Sequence, residues 1–176
     1  MAHVIRFHRT GSPEVLRYET LELPAPAAGE ARLRQSAVGV NFIDVYHRNG
    51  LYPVSLPSGL GSEGAGIVEA VGPGVSAVAP GDRVVYCGGP LGGYASERNV
   101  PASLLVKLPD AISEQHVAAG FLRAMTVEYL LTRTYACKAG DTILFHAAAG
   151  GVGLIAAQWC RALGVTMIGT VSSDEK

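Results

Sequence analysis

Over the first 122 positions the apolar residues come in short runs rather than in helical stripes. Val4 to Phe7, Ala31 to Val38, Ala65 to Val71, Arg83 to Tyr86 and Tyr94 to Val100 each have the content of a strand, and turn residues separate them. In the second run Ala31, Leu33 and Ala37 alternate with Arg32, Arg34 and Ser36, the two-residue period of a strand with one face on a core and the other in water. Pro80-Gly81 suits the centre of a type II turn, Gly72-Pro73-Gly74 marks another reversal, and residues 24–29 form a small-residue link. The pattern then turns helical. Ser113 is a candidate N-cap for a helix over Glu114 to Phe121, and a second helix is expected over Ala124 to Leu131, where Met125, Tyr129 and Thr132 share a face.

The stretch from Gly140 to Arg161 carries the most specific signal. Gly140-Asp141 makes a turn, Thr142 to Phe145 is a short strand-like run, and a glycine cluster leads into a helix over Leu154 to Leu163. A second strand-like run, Thr166 to Val171, closes a unit of roughly 30 residues, the length of strand, crossover helix and parallel strand. Residues without side chains at Gly150 and Gly151 let a pyrophosphate approach peptide N–H groups at a helix N-terminus, where free donors and the helix dipole favour an anion. The spacing departs from G-x-G-x-x-G, since Ala148 holds the place of the first glycine. The uncharged run from Thr142 to Trp159 is too short and too glycine-broken for a membrane helix.

Composition narrows the picture. With 48% hydrophobic and 16% charged residues and a net charge of −1, the chain is an ordinary globular protein, and it lacks the basic footprint of a nucleic-acid binder. Its N-terminus has no apolar stretch of signal-peptide length, which makes a cytoplasmic location the expectation. Cys87, Cys137 and Cys160 are widely spaced and odd in number, so they read as buried thiols rather than a disulfide framework. Neither they nor the five histidines cluster at ligand spacing, and a metal-free chain is expected.

The glycine-rich unit resembles the signature of the zinc-free quinone oxidoreductases, the zeta-crystallin-like branch of the medium-chain dehydrogenase/reductases. Gly140 and Asp141, Leu144, Ala148 and Ala149, Gly150, Gly151 and Gly153, Gln158 and Arg161 supply every position of that signature. The resemblance extends through residues 40–46, Gly50-Leu51-Tyr52-Pro53, residues 56–63 and Pro80-Gly81-Asp82-Arg83-Val84, and so covers the whole chain. Where zinc-dependent relatives carry Gly-His-Glu, this sequence has Gly61-Ser62-Glu63, and Asn41 stands near the position of a ligating cysteine. The implied fold is α/β plus β: a GroES-like β-rich catalytic domain over 1–122, then the start of a truncated Rossmann nucleotide-binding domain over 123–176. Family members run well past this length, so the chain looks like an N-terminal portion whose two-stranded parallel sheet has an unpaired edge and an uncovered face.

The resemblance also implies a site in a cleft between the domains. Ala149, Gly150, Gly151, Val152 and Gly153 would hold the cofactor pyrophosphate, and Thr126, at the start of its helix, would lie near the nicotinamide, although a surface or capping hydroxyl explains it equally. Asn41 and Tyr46 are assigned to the nicotinamide and quinone pocket, and Tyr52 to the same wall, a phenol offering stacking and an O–H donor to a quinone oxygen. Capping alone would account for Asn41 and for Asp44 three residues later. Ser172, Ser173 and Lys176 at the end of the second strand suit the 2′-phosphate of NADPH, while Asp174 and Glu175 would serve NAD if the register slipped by two. The expected activity is direct hydride transfer from NADPH to a small quinone, by a homodimer in its full-length form. Two other readings stay open: reduction of an activated C=C bond, and a truncated, non-catalytic nucleotide-binding module.

Overall fold

The computed structural model describes residues 1–173 and Glu175, so the expectations placed on Asp174 and Lys176 lie outside the described residues. The chain divides into two compact units, Met1–Ala119 and Gly120–Lys176.

The first unit is built from antiparallel sheets. Its strands are β1 (Ala2–Phe7), β2 (Leu16–Leu21), β3 (Glu30–Val38), β4 (Ser58–Gly59), β5 (Glu63–Val71), β6 (Arg83–Cys87), β7 (Glu97–Pro101) and β8 (Val106–Lys107). Two helices accompany them, α1 (Phe42–Asn49) and α2 (Glu114–Ala118). One sheet has the order β2-β1-β4 and the other β7-β3-β5-β6-β8. The alternation read in β3 is realised: Ala31 and Leu33 are fully buried with Val68, Val84, Tyr86 and Val100, while Arg34 and Ser36 face water. Gly81 takes φ 94° and Asp82 N–H donates to Ala79 C=O at 3.0 Å, closing the turn expected at Pro80-Gly81.

Two expectations change here. The run Tyr94 to Val100 is not one strand: only its end belongs to β7, and the preceding segment bonds to β1 instead, with Ile5 N–H on Tyr94 C=O and Ser96 N–H on His3 C=O, both at 2.8 Å. Strand β2 escaped notice because half of its residues are exposed and none is fully buried, so it carries no hydrophobic stripe.

The second unit contains α3 (Phe121–Tyr129), continued by a wider turn over Leu130–Thr134, then β9 (Thr142–Phe145), α4 (Gly151–Leu163) and β10 (Thr166–Gly169). Ser113 does cap α2, accepting from His116 N–H, but the helix expected to reach Phe121 stops at Ala118. Gly120 is the reason: it breaks the helical path (φ −143°, ψ −7°) and serves as the N-cap of α3. Thr126 therefore sits in the second turn of α3, not at its start, and its Oγ1 donates back to Leu122 C=O at 2.8 Å. The face shared by Met125, Tyr129 and Thr132 is exposed; Val127 and Leu131 face inward instead, packing with Ala156 and Cys160 of α4.

Strands β9 and β10 pair in parallel, Thr142 with Thr166 through Phe145 with Gly169. This is the strand, crossover helix and strand that the sequence announces. One face of the pair, through Ile143, Phe145 and Met167, packs on α4. The other face presents Leu144 and Ile168, directly paired and both more than half exposed. Among the described residues no helix is long and apolar enough to cross a membrane.

Candidate active site

In the first unit the expected site residues gather at α1. Asn41 precedes the helix in extended conformation, and its N–H donates to Asp44 Oδ2 at 2.9 Å, the backward reach of a capping box. Capping accounts for Asp44 but not for the whole arrangement. The Asn41 side chain donates through Nδ2 to Glu63 Oε2 at 2.7 Å, and Tyr94 O–H donates to Asp44 Oδ2 at 2.7 Å. Asn41, Asp44 and Glu63 are 8%, 3% and 1% exposed, a concentration of buried polar groups that demands paired hydrogen bonds. Asp44 Oδ1 lacks a partner in this network. Burial and the bond to Asp44 push the Tyr94 phenol well above its ordinary value, so it stays a proton donor across the physiological range.

Helix α1 ends at Gly50, in left-handed conformation, and the reversal brings Tyr52 N–H onto Tyr46 C=O at 3.0 Å. The rings cluster as a result. Tyr46 lies 5.2 Å from both Phe42 and Tyr52, centroid to centroid, and His47 lies 5.9 Å from Tyr52. Tyr46 is half-buried while Phe42 and Tyr52 are open to solvent, so α1 offers an accessible aromatic shelf carrying two phenol hydroxyls. Such a shelf can stack against a planar ring and donate a hydrogen bond to an oxygen on it.

In the second unit the glycine-rich turn is positioned by packing rather than by polar side chains. Gly153 is buried, and a Cβ there would overlap the carbonyl of Ala148, so only glycine allows α4 to start this close to the end of β9. Leu154 N–H donates to Gly150 C=O at 2.9 Å as the helix opens, so the amides of Gly151, Val152 and Gly153 precede the intrahelical ladder and face the space before it. Ala147, Ala149, Gly150, Thr170, Val171 and Ser172 line a groove of about 360 Å³ at that point. Among the expected residues, Ala149, Gly150 and Ser172 meet there, with Ser173 next along the exposed chain.

Glu63, Tyr94 and Thr170 are the residues that reasoning from sequence missed. Thr170 accompanies Ser172 in the groove, and its Oγ1 lies 3.1 Å from His146 Nδ1. Burial raises the thiols of Cys87 and Cys160 above the ordinary range, Cys87 also feeling Glu63, which keeps both from thiolate chemistry near neutral pH.

Residues 27–110 match the alcohol dehydrogenase GroES-like domain, and the second unit holds a parallel strand pair joined through α4. Over its whole length the chain is similar to about half the length of several quinone oxidoreductases. It is 55% identical to the quinone oxidoreductase of Pseudomonas aeruginosa, the alignment covering 100% of this chain and 54% of that protein. The crystal structure of Escherichia coli quinone oxidoreductase complexed with NADPH superposes with a TM-score of 0.96 at 52% identity, covering 98% of this chain and 53% of that one. A 2-haloacrylate reductase from a Burkholderia species is 46% identical over 100% of this chain and 54% of its own length. The chain thus spans about half the length of these relatives.

Proposed function

We propose that this chain supplies the pyrophosphate-binding turn and the aromatic substrate wall of an NADPH-dependent quinone reductase. The observation that carries the reading is the start of α4, where glycine packing leaves three successive amides free beside a groove ending in hydroxyl residues. That cradle fits a dinucleotide: Ala149, Gly150, Gly151, Val152 and Gly153 would hold the pyrophosphate, and Ser172 and Ser173 would border the 2′-phosphate. Lys176 is assigned to the same phosphate by resemblance, as are Asn41 and Thr126 to the nicotinamide. When bound, NADPH would supply the hydride, and this chain's residues would orient it. Within the first unit, Glu63 and Asp44 hold Asn41 and the start of α1 in place, and Tyr46 and Tyr52 stack on the quinone and donate to the oxygen that gains charge. Residues 1–122 form the catalytic domain and 123–176 the nucleotide-binding part. The protein is placed in the cytoplasm, with a homodimer as its full-length form, as the resemblance implies.

The 46% identity to a 2-haloacrylate reductase favours one second reading, reduction of an activated C=C bond. Oxidation of NADPH by the purified protein, driven in parallel by a benzoquinone and by 2-haloacrylate, separates the two. Faster turnover with the quinone is expected, and a clear preference for 2-haloacrylate would replace the quinone assignment. Tyr52→Phe, and separately Tyr46→Phe, should lower turnover with quinone about tenfold or more; unchanged turnover removes that tyrosine from the mechanism.

A further inference from the structure

Among the described residues Arg98 is the only buried basic side chain, 7% exposed. It stands on β7 opposite Leu33 of β3, and its guanidinium donates through Nη1 to Tyr86 Oη at 3.2 Å and through Nη2 to Pro90 C=O at 2.7 Å. Neither partner carries a charge. The Tyr86 O–H donates to Gln35 Oε1 at 2.7 Å, and burial pushes that phenol above its ordinary value, so it stays neutral. Glu63, whose field also reaches Tyr86, is bonded to Asn41. No carboxylate among the described residues forms an ion pair with Arg98, and its buried Nε has no acceptor. The Tyr86 ring, with its centroid 5.2 Å from Cζ, softens the charge without neutralising it. A water molecule would satisfy Nε and still leave the charge, and an uncompensated charge is costly to bury.

Arg98 lines a cavity of about 480 Å³, within the range of small-molecule pockets. The guanidinium itself borders that space: Pro90, its acceptor, and Gly92, where a Cβ would stand 3.9 Å from Arg98 Cζ, are both in the wall. Val4, Ile5, Leu21, Leu23 and Leu91 make much of the remainder apolar. The other polar side chains of the wall are already engaged, Arg6 with Glu19 at 3.4 Å, Asn99 with Arg32 at 2.7 Å and Glu30 with Ala27 N–H at 3.0 Å. Glu30 also lies three residue pairs from Arg98 along the β3–β7 ladder, about 10 Å. We propose that this cavity binds a small monocarboxylate with an apolar body, its carboxylate on the Arg98 guanidinium and its body along the leucine wall. One buried positive charge calls for one negative charge, and a planar carboxylate matches the fork formed by Nε and a terminal N–H. A phosphate monoester would bring a second negative charge into a largely apolar space that Glu30 also borders. The site lies wholly within the first unit and does not depend on the dinucleotide reading.

The test is calorimetric titration of the chain with octanoate, octanamide, acetate and inorganic phosphate, repeated on Arg98→Met and Leu23→Trp. Saturable binding of octanoate is expected, tighter by about tenfold or more than that of the uncharged octanamide or of acetate, which lacks the apolar body. Arg98→Met should lower octanoate affinity about tenfold or more and leave octanamide unchanged. Without ligand the same variant should melt no lower than the parent, because it removes an unpaired buried charge. Leu23→Trp keeps the guanidinium and narrows the cavity, so it should weaken octanoate by a similar factor, and it carries the test even where Arg98→Met does not fold. Equal affinity for octanoate and octanamide would overturn the proposal, as would phosphate binding more tightly than octanoate. Unchanged octanoate affinity in either variant, or no octanoate binding by the parent chain, would overturn it as well.

Discussion

In the first unit the groups that define the site are side chains locked inside an antiparallel fold, with Asn41, Asp44 and Glu63 almost wholly withdrawn from water and tied to one another. In the second unit the surface proposed to face the cofactor is the backbone itself, and the side chains matter chiefly by being absent, at Gly150, Gly151 and Gly153. The contrast extends to the cores. β3 is paired on both sides by β5 and β7, whereas among the described residues β9 pairs only with β10 and leaves Leu144 and Ile168 bare. A buried network holds its geometry through many mutually dependent bonds, so its failures are failures of stability. A backbone cradle depends on the close approach of two elements, and its failures are failures of binding.

Substitutions at equivalent residue types should expose this difference. Leu33→Ala, at a fully buried position of β3, is expected to cost about 2–5 kcal/mol, read as a lowered denaturation midpoint. Gly153→Ala should cost about 1–3 kcal/mol, since the new methyl must displace the Ala148 backbone, and it should abolish detectable NADPH binding in the titration. Glu63→Ala leaves the Asn41 amide without its buried acceptor, a loss of about 1–3 kcal/mol that Glu63→Gln should partly avoid.

A smaller effect lies on the alkaline side. The folded-state phenol of Tyr94 has its pKa raised by burial and by the bond to Asp44, so the unfolded chain releases this proton first. The stability it contributes is complete below the ordinary tyrosine value, about pH 10, and is lost as pH rises through the folded value. Tyr94→Phe should therefore flatten the decline in melting temperature above about pH 10. At the bottom of the scale, Leu144→Ala removes a mostly exposed side chain and should change stability by no more than about 0.5 kcal/mol.

These differences also decide what could be read from the sequence. The second unit was legible because its elements are local: β9, the glycine turn and α4 follow one another, and Gly153 marks the place where the start of α4 meets the Ala148 backbone. Its helix ends were less so. Gly120 sits where a continuous helical pattern suggests no interruption, and the error displaced Thr126 from the start of α3 to its second turn. In the first unit the alternation of β3 announced the core, but the network around Asn41 joins residues 22 and 50 positions apart. No local pattern of Tyr94 or Glu63 foretells those partners, because pairing at that separation is decided by sheet topology. The segment before β7 shows the same limit, reading as strand on its own while its hydrogen bonds go to β1.

The account turns on the start of α4 as a dinucleotide site that prefers the phosphorylated cofactor, and parallel fluorescence titrations of the chain with NADPH and NADH test it most directly. Saturable binding of both, clearly tighter for NADPH, is the predicted result. Binding of neither would contradict the site, and equal affinity for the two would contradict the assignment of Ser172, Ser173 and Lys176 to the 2′-phosphate.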